Sequence, residues 1–242
     1  MDKWKRRSVD LFTSLAFGSD GGASVVPYYP QKISVSSREA RFFPRSIPEN
    51  QGISSKRIYN MLCELEAEKK ANVHSLMILR DGEVICECSR DGYGVNTAHV
   101  SHSMSKSVCG MVIGQLWDRG EVRLDSRVID FFPEIKYKDK RFSQITVEHL
   151  LTMSCGIDFA ELGSITDRNW TEAFFASSLK FSPGSRFLYN SMNTYILAVI
   201  AERVTSKPFL ELVKYGLFEP MGIENFLWEK GPEDVAKAGW GL

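Results

Sequence analysis

Val100-Ser-His-Ser-Met-Ser-Lys-Ser-Val-Cys-Gly-Met-Val-Ile-Gly114 reads as the opening of a buried helix. After Lys106 come Val108, Met111, Val112, Gln115 and Leu116, the i, i+3, i+4 rhythm of a helix with one covered face. Gly120 supplies a stop, and Ser101 or Ser103 is expected to cap the start. Ser103 and Lys106 are three residues apart, so they share one face of the first turn. That puts an amine beside a hydroxyl. A hydroxyl is a poor nucleophile until a base removes its proton, and a desolvated amine can do so.

The spacing alone is not specific, because Ser177-Ser-Leu-Lys180 repeats it. Context separates the two. Ser177 leads into Phe181-Ser-Pro-Gly184, a turn, so an exposed helix end is expected there. His102 adjoins Ser103, but neighbours along a helix point apart, and a loop or cap histidine is expected. His149 opens an apolar segment and reads as structural. Trp170 reads as core packing, and Ser105 and Ser107 lie on the wrong faces to replace Ser103.

With 242 residues the chain can bury a large core, as one domain or two intertwined ones. Thirty basic residues balance thirty acidic ones, so no overall field favours nucleic acid or an anionic membrane. No apolar run reaches the length of a membrane span. Lys3, Lys5, Arg6 and Arg7 look like a signal-peptide head, but Leu11-Phe-Thr-Ser-Leu-Ala-Phe17 is short and interrupted by polar residues. The five cysteines are an odd number, and Cys86 and Cys88 share one face of a strand without further ligands nearby. Free thiols in a reducing, cytoplasmic compartment are therefore expected, with no metal.

Residues 1–50 read as an irregular leader, and 51–242 as one folded region. Ser54 or Ser55 is expected to cap a helix to about Lys70, with Ile58, Met61, Leu62 and Leu65 inward. Two apolar runs then flank Asp81-Gly82, a hairpin signal because the turn needs positive φ. Beyond Ser103 the pattern is mostly helical: a short helix ended by Pro133, then Thr146–Met153, Trp170–Ser178, Tyr195–Val204 and Phe209–Phe218. No convincing further strand follows. The fold class is α+β, with helices segregated from an antiparallel sheet.

The motifs together resemble the serine β-lactamase-related family: class C β-lactamases, D-alanyl-D-alanine peptidases, β-lactamase-fold esterases and nylon-oligomer hydrolases. In order they are the hairpin Leu76–Glu87, Ser-Met-Ser-Lys at 103–106, Gly-Glu-Val-Arg-Leu-Asp at 120–125, His-Leu-Leu-Thr-Met-Ser-Cys-Gly at 149–156 and Pro-Gly-Ser-Arg-Phe-Leu-Tyr-Asn-Ser at 183–191. The resemblance implies a transpeptidase-like antiparallel sheet flanked by helices, with an all-helical insert, and the nucleophile at the cleft between them. It implies that Ser103 forms an acyl-enzyme without a cofactor. Lys106 and Tyr189 would share the proton work with coupled titrations, since a phenol near a cation loses its proton more easily. The Ser103 amide would be one oxyanion donor. The implied partner is a small ester or amide.

The family's usual Tyr-x-Asn stands here as Tyr189-Asn190-Ser191, closer to the nylon-hydrolase and esterase branch. Asn190 and Ser191 are the expected substrate-binding residues. The family pattern also continues into further sheet strands and a third motif of Lys or His, then Thr or another small residue, then Gly. Those strands are expected to be missing from this chain. The alternative to a hydrolase is a non-catalytic protein of the same fold that binds a ligand or partner.

Overall fold

The computed structural model describes residues 43–94, 97–158 and 169–242. Among the described residues the chain forms two compact units, one within residues 43–99 and the other within residues 100–242. Residues 1–42 of the expected leader lie outside the described residues.

In the first unit, α1 (Ser55–Ala67) is followed by β1 (Ser75–Arg80) and β2 (Glu83–Ser89). Ile58 is buried and Met61, Leu62 and Leu65 are half-buried on one face of α1. The cap differs from expectation. Neither serine side chain caps; Glu49 accepts the Ser55 N–H at 2.8 Å instead. The strands pair antiparallel from Arg80↔Glu83 outward, with a bulge between Ile78 and Leu79. Asp81 (φ 49°) and Gly82 (φ 81°) make the turn, the left-handed pair that a two-residue hairpin requires. The leader is not irregular throughout: Pro48–Gln51 form a 3₁₀ turn, and Arg45 bridges Val84 in parallel.

The second unit is helical. Its long elements are α2 (Ser105–Asp118) and α5 (Ser191–Thr205), with shorter α3 (Val147–Leu151), α4 (Trp170–Ala176) and α6 (Phe209–Val213) between and after them. Residues 191–201 of α5 are all buried, so this stretch is covered on every side, and most of it is apolar for that reason. Both α2 and α3 pack on it. Burying each Ile or Leu here contributes about 1.5–3 kcal/mol. Phe132, Phe142, Phe174 and Phe175 stack against one another with centroids 5.0–5.9 Å apart. Trp170 is core as expected, 2 % exposed and against Tyr195 and Trp240. Among the described residues the named strands are β1 and β2 alone, and no helix is long and apolar enough to cross a membrane.

Candidate active site

Two chain segments deliver the site. Ser103 lies in a 3₁₀ turn, His102–Met104, that runs directly into α2. The expected serine cap is absent here too, since neither Ser101 nor Ser103 makes a side-chain cap bond. Lys106 follows in the first turn of α2. The other segment is Ser178–Tyr189, held to residues 153–158 by backbone pairing. Asp158 N–H donates to Ser178 O, Lys180 N–H to Gly156 O, Gly184 N–H to Ser154 O and Leu188 N–H to Met153 O, at 2.7–2.9 Å. The last bond fixes the residue immediately before Tyr189. Two glycines make the close pairing possible. At Gly156 (φ 80°) a Cβ would lie 2.5 Å from Phe181 O, and at Gly184 (φ 78°) one would lie 2.8 Å from His149 Nε2. His149 itself completes a capping box with Thr146 at the head of α3, the structural role expected of it.

The two segments meet at one oxygen. Tyr189 Oη donates to Ser103 Oγ at 2.6 Å, and Lys106 Nζ donates to the same Oγ at 3.1 Å. The ammonium also donates to Ser191 Oγ at 3.0 Å and to the Gly239 carbonyl at 2.6 Å, so its three hydrogens have three acceptors. It sits 4.7 Å from the centre of the Tyr189 ring. Ser103 is exposed, Tyr189 half-exposed and Lys106 partly covered. The nucleophile candidate therefore faces solvent while its polar partners are backed by buried structure.

The other expected residues fall differently. Ser191 joins the cluster but is 5 % exposed, and its hydroxyl holds Lys106. Asn190 is 4 % exposed and its Oδ1 accepts the Met192 N–H at 2.9 Å, so that oxygen serves as the cap of α5. The competing pair Ser177–Lys180 has the expected bland place. Ser177 Oγ donates to Ala173 O at the end of α4, and exposed Lys180 lies 3.8 Å from Asp158.

Gly239 was not readable as a site residue. Its contribution is a carbonyl, which every residue has. The signal was the glycine itself: a Cβ there would lie 2.8 Å from Ser191 O and 2.9 Å from Ser191 Cβ, so only a bare backbone can approach α5 closely enough to meet Lys106. A separate cleft of about 300 Å³ is lined by Glu202, Lys207, Lys230 and Asp234. Burial pushes the Glu202 carboxyl up, but no residue of the Ser103 cluster lines that cleft.

Residues 60–242 match the family described as Beta-lactamase. The chain belongs to the beta-lactamase family. It is 29 % identical over 175 residues to 6-aminohexanoate-dimer hydrolase of Paenarthrobacter ureafaciens, covering 64 % of this chain and 42 % of that protein. It is 27 % identical over 143 residues to esterase EstB of Burkholderia gladioli, covering 51 % of this chain and 36 % of the esterase. The matched stretch is thus under half the length of either relative. Among solved structures, the β-lactamase/D-alanine carboxypeptidase of Pseudomonas syringae superposes with a TM-score of 0.59 at 18 % identity, over 78 % of this chain and 61 % of that one. The shared fold is the β-lactamase/transpeptidase-like one, and the presence of helices and a small antiparallel sheet agrees with it.

Proposed function

We propose that the chain acts as a serine hydrolase that cleaves a small ester or linear amide through an acyl-Ser103 intermediate. The observation that carries this reading is the convergence on one oxygen. A phenol 86 positions away in sequence and an amine three positions away both hydrogen-bond Ser103 Oγ. As Oγ bonds to the substrate carbonyl carbon, its proton passes to the Tyr189 oxygen, which reacts in the phenolate form that the neighbouring Lys106 charge favours. The same pair returns that proton to the departing alkoxide or amine. Water then attacks the acyl-enzyme, with the pair acting as base once more. The Ser103 N–H belongs to the first turn, where N–H groups lack an intrahelical acceptor, and serves in this reading as one donor to the developing oxyanion. The names of the hydrolase and esterase relatives favour an ester or linear amide.

A fluorophosphonate probe tests the reading, with the adduct located by peptide mass spectrometry. Label on Ser103 that is lost in Ser103→Ala is expected, together with a drop of at least tenfold in Tyr189→Phe. A cooperatively melting chain that takes up no label at Ser103 refutes the hydrolase reading and favours the non-catalytic, ligand-binding alternative.

A further inference from the structure

Ser105, one residue past the centre of the Ser-Met-Ser-Lys run, has no part in the proton path. It is the only fully buried serine of that run, with no exposed surface. Both capacities of its hydroxyl are used. It donates to the His102 carbonyl at 2.6 Å and accepts the Leu242 N–H at 3.1 Å. The Leu242 carbonyl in turn accepts the Ser101 N–H at 2.7 Å. Residues 101, 102 and 105 are thereby tied to one distant backbone residue, and Ser103 sits inside the loop that these bonds close.

The tie matters because of what it holds. His102 has φ of 44°, a left-handed conformation that a non-glycine residue adopts only where its surroundings hold it. It immediately precedes Ser103, so its backbone angles set the direction in which the Ser103 side chain leaves the turn. We infer that Ser105 is a positioning residue. Its hydroxyl clamps the His102 carbonyl to Leu242, holds His102 left-handed, and so aims Ser103 Oγ between Tyr189 and Lys106. This rests on the hydrolase reading for its chemical consequence, though not for its geometry. A serine that merely back-bonds its own helix behaves differently. Such a residue is usually solvent-facing, and its loss to alanine is neutral or favourable by helix propensity.

The test uses three variants of the full chain. Ser105→Ala deletes both bonds, Ser105→Cys keeps the volume with a weak donor, and Ser105→Thr keeps the hydroxyl. The readouts are the second-order rate of fluorophosphonate labelling at Ser103, the melting temperature, and a crystal structure of the alanine or cysteine variant. Expected is a loss of about tenfold to a hundredfold in labelling for Ser105→Ala and Ser105→Cys, with Ser105→Thr within about threefold of wild type. In the variant structure His102 should leave the left-handed region, and Ser103 Oγ should move out of hydrogen-bonding range of Tyr189. If Ser105→Ala does not fold, Ser105→Cys carries the comparison. Wild-type labelling in a folded cysteine or alanine variant overturns the inference, even with a lowered melting temperature, since that pattern is purely structural. So does an unmoved His102. If the wild-type chain itself takes no label, the hydrolase reading fails alone and the crystal structure still judges the geometry.

Discussion

Replacing Gly239 by alanine probes how the site is held together. The added methyl would start 2.8 Å from Ser191 O and 2.9 Å from Ser191 Cβ. Both atoms belong to the first residue of α5, whose next ten residues are buried, so the helix cannot give way. The 239 backbone must retreat by roughly 0.6 Å to reach ordinary contact, which stretches a Lys106–carbonyl bond that is now 2.6 Å. Overpacking of this kind costs about 1–3 kcal/mol, and at about 2–4 °C per kcal/mol the melting temperature should fall by about 2–12 °C. Weakening a hydrogen bond from a charged donor is worth about 1.5–3 kcal/mol. Lys106 would lose one of its three tethers, and Ser103 labelling should slow by about tenfold to a hundredfold. Gly216→Ala is the matched control, because the atom in its way is the tip of a flexible side chain, Gln115 Oε1 at 3.1 Å. Differential scanning fluorimetry and timed fluorophosphonate labelling give both quantities. A Gly239→Ala chain that melts and labels like wild type would show that the carbonyl is not a tether.

Gly114→Ala should stabilise the chain by about 0.5–1 kcal/mol in a urea melt, since Gly114 lies within α2 with nothing within 4 Å of its would-be Cβ. Phe142→Ala should cost about 3–5 kcal/mol in the same assay, because that ring is fully buried in the aromatic cluster. Hydrogen bonds from the Arg141 side chain and backbone hold the Asp139 carboxyl down at about 2, against an ordinary 3.8. Its support is therefore present above about pH 4 and lost as pH falls towards 2, and Asp139→Asn should flatten stability against pH in that window. Burial pushes the Cys155 thiol up to about 11 and raises Cys109 further. Ellman's reagent should thus reach exposed Cys63 in the native chain but these two only after unfolding; fast native modification of Cys155 would contradict its burial.

Local chemistry was legible in the sequence; approach between distant backbones was not. The Asp81-Gly82 hairpin, the inward face of α1 and the apolar α5 followed from periodicity and turn residues, which act within a few positions. Ser103 beside Lys106 followed from the pitch of a helix. The cap of α2 did not, because the preceding 3₁₀ turn feeds it continuously and removes the usual serine cap. The cap that Asn190 gives α5 has a related origin. A short polar side chain before a helix serves the first free N–H groups, and its Oδ1 takes the Met192 N–H. The 2.6 Å approach of Gly239 to Lys106 joins residues 133 positions apart, and no local pattern encodes it.

The Leu188–Met153 backbone bond, one residue before Tyr189, has an evolutionary corollary. The phenol is delivered by main-chain pairing, which tolerates almost any side chain at 188 and at its neighbours on the surface. Selection can therefore rewrite the rim around the oxygen of residue 103 without detuning its partners. Under the acyl-serine proposal, a scaffold wired in this way lets the accepted group change while the proton path stays in place.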